Sequence, residues 1–140
     1  MNLFSSQTEQ DAAAVYKQIL EVVPQEKTSL FYLGDIYFRA ERWDIAISYL
    51  KKGVASFPQQ HEMHVRLADC YLEKGEYANA IEHYRTALSL IKNDDALIEQ
   101  VKVRLGAAYY RGGQRDTGIA LFSVICCCCC ACVSFLGGSW

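Results

Sequence analysis

The sequence repeats itself with a period of 34 residues, and this constrains the fold more than any single motif in it. Placed over LFYLGDIYFRAERWDIAISYLKKGVASFP (30–58), the stretch HVRLADCYLEKGEYANAIEHYRTALSLIK (64–92) sets Leu67, Ala68, Tyr71, Ala80, Tyr84 and Ala87 on Leu33, Gly34, Tyr37, Ala46, Leu50 and Gly53. A third copy, VRLGAAYYRGGQRDTGIALFSVI (103–125), keeps the internal spacings with Leu105, Gly106, Tyr109, Gly118, Phe122 and Ile125. It begins four residues late, about one helical turn. Ahead of the first copy, Ala12, Tyr16, Ile19 and Pro24 fall 34 residues before Ala46, Leu50, Gly53 and Pro58, which is half a repeat. Periods of this length mark arrays in which each unit buries its apolar face on its neighbours.

Within each unit two apolar segments at helical spacing flank a short polar turn, AERW, EKGEY or RGGQR, so each unit reads as a helical hairpin. The small residues Gly34, Ala68 and Gly106, and then Ala46, Ala80 and Gly118, lie where two helices approach closely, with Tyr37, Tyr71 and Tyr109 filling the space beside them. Ser6-Gln7-Thr8-Glu9 reads as a capping box opening a helix that Pro24 ends. Helices are expected near 7–22, 28–40, 44–56, 61–74, 77–91, 95–111 and from 115 onward, the last with Asp116 as its cap.

These residues closely resemble the tetratricopeptide repeat family, whose unit runs L-x2-L-G-x2-Y and then A-x3-F-x2-A-x4-P. Here the first half is Leu30, Leu33, Gly34 and Tyr37, and the second is Ala46, Leu50, Gly53 and Pro58; the second copy departs from it with Lys92 at the proline position. The resemblance implies an all-α fold, a right-handed superhelical solenoid of antiparallel hairpins. It would hold a half-repeat (6–24), repeats over 27–60, 61–94 and 99–125, and a cysteine-rich apolar tail over 126–140. It also implies a non-enzymatic adaptor that holds a peptide or partner helix in a concave groove lined by the first helix of each hairpin, within a larger assembly.

Carried over position by position, the groove would present Phe31, Tyr32, Asp35, Phe38 and Arg39 from the first hairpin. Arg66, Asp69 and Glu73 would follow from the second, and Arg104, Tyr110 and Arg111 from the third. Chaperone adaptors of the family clamp a C-terminal carboxylate at places that here hold Phe31, Asp35, Arg66, Gln100 and Arg104; only Arg104 matches, and Asp35 would repel a carboxylate. The expected partner is instead a segment with apolar anchors and basic residues facing Asp35 and Asp69. Replacing both aspartates by lysine should then weaken binding without unfolding the array.

The composition adds exclusions. A formal charge of −2 with no basic cluster speaks against nucleic acid, and the N-terminus has no basic and apolar leader. The expected location is cytoplasmic, with the cysteines as thiols. No cofactor is expected: His61 and His64 with Cys70 match no zinc spacing, His64 takes the bulky position of Leu30, and Arg111-Gly112-Gly113-Gln114 lacks the strand and lysine of a phosphate loop.

Six of the seven cysteines crowd into the tail, as Cys126, Cys127, Cys128, Cys129, Cys130 and Cys132. Adjacent cysteines on a helix splay apart and cannot share one metal ion, and disulfides call for an exported chain. Two readings of a membrane tail remain: a span over 118–138, or S-acylation of the cysteine run. The alternative function is then a membrane-tethered receptor or adaptor on the cytosolic face. The competing reading is that the run is not an evolved element but the product of a codon expansion, a frame change or a retained intron. On that reading the chain is the N-terminal piece of a longer repeat protein, either a scaffold or a regulatory module severed from a catalytic domain. An uncapped apolar end also predicts self-association.

Overall fold

The computed structural model describes residues 3–127, with side chains from Gln7 to Phe122. The described residues form seven helices: α1 (Leu3–Val22), α2 (Lys27–Arg39), α3 (Trp43–Ser56), α4 (His61–Lys74), α5 (Tyr77–Leu90), α6 (Asp95–Arg111) and α7 (Arg115–Cys127). Every expected helix is present. The exception in detail is the start of α1: Ser6-Gln7-Thr8-Glu9 does not open it, because the helix already runs from Leu3. Asp116 likewise lies inside the first turn of α7 and does not cap it.

Consecutive helices pack on one another, and the first helices of the hairpins also touch directly, α2 against α4 and α4 against α6. These first helices therefore share one continuous face. The hairpins close where a large residue of the second helix meets a small one of the first. Leu50 fills the space over Gly34 so fully that a Cβ there would overlap its branch, and Gly106 and Gly118 let α6 and α7 approach until a Cβ on Gly118 would sit 2.7 Å from the Gly106 carbonyl oxygen. Leu30, Leu33, Leu50, Leu67, Tyr84 and Val101 are wholly or almost wholly buried along this seam. Fully burying such a side chain contributes about 1.5–3 kcal/mol relative to leaving it exposed.

The three hairpin turns are copies of one another. In each, an amide five residues beyond the repeat tyrosine donates back to its carbonyl, Arg42 to Tyr37, Glu76 to Tyr71 and Gln114 to Tyr109, all at 2.9 Å. The residue before that amide is left-handed in each case, with φ 59° at Glu41, 86° at Gly75 and 92° at Gly113. The late start of the third unit is absorbed before α6, whose N-terminus Asp94 caps by accepting from the Leu97 amide at 3.0 Å.

Among the described residues no helix is long and apolar enough to cross a membrane. Cys126 and Cys127 end α7, whereas Cys128, Cys129, Cys130 and Cys132, and with them most of the expected tail and the far part of the 118–138 span, lie outside the described residues.

Candidate partner-binding groove

Along the shared face of the first helices, acids and bases alternate. Glu9 of α1 meets Arg39 at 2.9 Å, and Arg39 meets Asp35 at 3.2 Å. Asp35 then meets Arg66 of α4 at 2.7 Å. Arg66 approaches Asp69 at 3.5 Å, and Asp69 meets Arg104 of α6 at 2.7 Å. The ladder thus crosses two hairpin boundaries. Arg66 also lies over the Phe38 ring, its guanidinium carbon 5.0 Å from the centroid, which fixes the plane from which it reaches both aspartates.

Asp69 is the deepest member, with a side chain 10% exposed. The buried Tyr84 hydroxyl of α5 donates to its other oxygen. Tyr84 and the two arginines pull its carboxyl towards ionisation, but burial outweighs them and holds it above the usual carboxylate range. Burial likewise raises the Tyr84 hydroxyl, ahead of the nearby Asp69 charge, so it stays a donor at neutral pH. The expectation that Asp69 could become lysine without unfolding the array fails on this geometry, because a lysine there would strand Tyr84 and sit between two arginines.

A cavity of about 240 Å³ opens between the N-terminal turns of α2 and α4. Phe31, Tyr32 and Met63 line it, with Lys27 and Glu62 beside them. Phe31 meets Tyr32 edge-on at 5.6 Å, and Tyr32 stacks on Tyr16 of α1 at 5.5 Å. Glu26 holds the start of α2 in place, accepting from the amides of Thr28 at 3.0 Å and Ser29 at 2.5 Å. Those bonds keep its carboxyl below the ordinary range.

The structure therefore brings together Phe31 with Tyr32, and Asp35, Phe38 and Arg39 with Arg66, Asp69 and Arg104. Glu73 and Arg111 form a looser pair at 4.0 Å. Tyr110 stands apart beside the last turn, under the Arg115 guanidinium at 5.6 Å. Reasoning from the sequence missed Glu9, because α1 is a half-repeat with no groove helix, and Met63 and Lys27, because the motif assigns them no groove position.

The histidines have structural partners. His64 lies 3.0 Å from the Pro58 carbonyl through Nε2 and 3.3 Å from His83 Nδ1 through Nδ1, and His83 stacks on Tyr71. Cys70 is fully buried, and burial first, with the Asp69 charge next, pushes its thiol up to about 12. Among the described residues no three His, Cys, Asp or Glu side chains are placed to hold a metal ion.

The tetratricopeptide repeat pattern matches residues 10–61 and again 37–96. The RNA polymerase-associated protein CTR9 of Saccharomyces cerevisiae is 27% identical over 111 residues, which cover 79% of this chain and 10% of that protein. Among solved structures, one described as the MamA protein superposes with a TM-score of 0.76 at 22% identity, over 84% of this chain and 62% of that one. A MamA fragment from Desulfovibrio magneticus RS-1 gives 0.76 at 20% identity, over 88% and 67%. These structural likenesses show the fold alone. With the repeat pattern matched over more than half its length and laid out as stacked hairpins, the chain belongs to the tetratricopeptide repeat family.

Proposed function

We propose that the chain is a non-catalytic scaffold that holds a partner segment along the shared face of α2, α4 and α6, anchored by one large apolar side chain in the cavity at Phe31, Tyr32 and Met63. The observation that carries this reading is the internal pairing of the groove charges. Asp35 and Asp69 already have arginine partners. A basic partner would have to displace them, whereas an apolar anchor gains from burial without stripping water from an unpaired carboxylate. Lys27 and Glu62, both exposed and of opposite sign, favour a partner with an acid on one side of the anchor and a base on the other. Similarity to a protein described as RNA polymerase-associated fits a role within a multiprotein assembly.

The test is site-specific photo-crosslinking in cells, with p-benzoylphenylalanine in place of Tyr32 in one protein and of Arg85, an exposed residue of α5, in another. A partner trapped from position 32 and not from position 85 supports groove binding. Trapping only from position 85, or from neither, defeats it.

A further inference from the structure

Where α1 meets the C-terminal half of α2, a cavity of about 530 Å³ is walled by Ala13, Ala14, Ile36, Tyr37 and Ala40. The corresponding place is filled in the later units. Glu9, Ala13 and Ala40 have Trp43, Ile47 and Lys74 as their counterparts 34 residues further on. Trp43 packs against the core that holds Ile47 and Tyr71, and Lys74 binds Asp44 at 2.7 Å and Glu76 at 3.0 Å. In the third unit Tyr77 takes the place of Trp43. It lies against Gly112, the counterpart of Ala40, so closely that a Cβ on Gly112 would sit 3.0 Å from the Tyr77 Cβ. Each later junction thus seats an aromatic residue of its own, whereas the first has Glu9, which Arg39 engages at 2.9 Å.

The charges at this place change as well. Arg42 stands where the second unit has Glu76, and Lys17 lies over the Tyr37 ring, 5.4 Å from its centroid. Both cations line the cavity and are exposed, and neither has an ion-pair partner among the described residues. We propose that the cavity takes a Trp or Tyr side chain of a partner protein, from a segment that carries Asp or Glu beside the aromatic. The ring occupies the place that Trp43 and Tyr77 hold in the later junctions and gains from burial against Ala13, Ile36 and Tyr37. Its acidic neighbours pair with Lys17 and Arg42, which have no internal bridge to give up. A second copy of this chain is the poorer occupant, because its own aromatics with acidic neighbours, Trp43 and Tyr77, are already packed in their junctions. The site lies towards the C-terminal end of α2, whereas the cavity at Phe31, Tyr32 and Met63 opens beside its N-terminal turns.

The probe is a phage-displayed library of random short peptides panned against the full chain. Enriched peptides are labelled with fluorescein and their binding is read by fluorescence anisotropy, with circular dichroism confirming that each variant is folded. The expected peptides carry a Trp or Tyr next to Asp or Glu and bind saturably. Binding is weakened at least tenfold by Ala14→Trp, which fills the cavity from an exposed position on its wall, and by Lys17→Glu with Arg42→Glu. Glu9→Trp with Ala13→Ile, which copies the second unit, has the same effect and raises the melting temperature, while Arg85→Glu on α5 changes nothing. Enrichment of no peptide, or of peptides indifferent to Ala14→Trp, overturns the proposal. Peptides that lose binding with Tyr32→Ala and keep it with Ala14→Trp overturn it in favour of the other cavity. Light scattering that shows a dimer dissolved by Ala14→Trp, with no peptide bound, overturns it in favour of a second copy.

Discussion

Asp69 on α4 and Arg104 on α6 meet at 2.7 Å although 35 residues separate them in the chain. Asp35 and Arg66 make the same kind of contact one hairpin earlier, also at 2.7 Å. A carboxylate on one first helix and a guanidinium on the next thus tie the units along the groove floor. Breaking a buried pair by removing one partner is far more damaging than replacing it by a group that keeps the hydrogen bonds.

At Asp69 this distinction can be measured. Asp69→Asn keeps an acceptor for the Tyr84 hydroxyl and removes a charge that burial disfavours, so urea denaturation should place it within about 1 kcal/mol of the parent at pH 7. Asp69→Leu strands that hydroxyl and should cost about 1–3 kcal/mol more. The sign with pH follows from a carboxyl that titrates higher folded than unfolded. Its favourable contribution is full below the unfolded value and lost as pH rises through the folded one, so the parent should gain on the Asn variant as pH falls towards about 4. Equal damage from Asn and Leu would show that the charge itself holds the joint.

Glu41 occupies the left-handed turn position that Gly75 and Gly113 fill in the later hairpins. A side chain there costs about 1 kcal/mol relative to glycine. Glu41→Gly should therefore raise stability by about 0.5–1 kcal/mol, and Gly75→Ala should lower it by a similar amount. A melting experiment in which Glu41→Gly destabilises would mean that the Glu41 side chain has a role beyond the turn.

His83 is held below its usual range first by burial and then by His64. With the His64 Nε2 hydrogen donated to the Pro58 carbonyl, its Nδ1 is left to accept from the His83 Nδ1–H. A histidine that titrates lower folded than unfolded contributes stability above the unfolded value, about 6.5, that is lost as pH falls through the folded one. The melting temperature should drop as pH falls below about 6.5. His83→Tyr, which places at this position the residue found at Tyr49, should flatten that dependence. An unchanged profile would place the pH sensitivity elsewhere.

Periodicity made the fold legible: the spacing of Leu33, Gly34 and Tyr37 against Ala46 and Leu50 is a direct image of how two helices touch, and it recurs. The groove was legible only as a list of positions. That Asp35 and Asp69 are neutralised from within depends on how Arg66 and Arg104, themselves groove positions, reach across to the neighbouring first helix, and spacing alone does not encode that reach. The His64–His83 pair was missed for a related reason. It joins two helices through positions where the other hairpin has Leu30 and Tyr49, so neither residue stood out as polar by design.

The small residue under Leu50 offers the sharpest test of hairpin closure. Any Cβ at Gly34 overlaps the branch of Leu50, which is itself completely buried, so Gly34→Ala should cost about 1–3 kcal/mol through overpacking. Leu50→Ala alone should cost about 2–5 kcal/mol by leaving a cavity. In the double variant the new methyl enters the vacated space, so the two losses should fall short of adding by about 0.5–3 kcal/mol. The second hairpin already carries the methyl, as Ala68, beneath a flat tyrosine ring at position 84 in place of a branched leucine. Gly34→Ala with Leu50→Tyr should therefore recover more of the loss than Gly34→Ala with Leu50→Ile, which keeps a branched side chain over the new methyl. Strict additivity in urea-denaturation cycles would show that the overlap is relieved by a shift of the helices, and that closure does not depend on this pair.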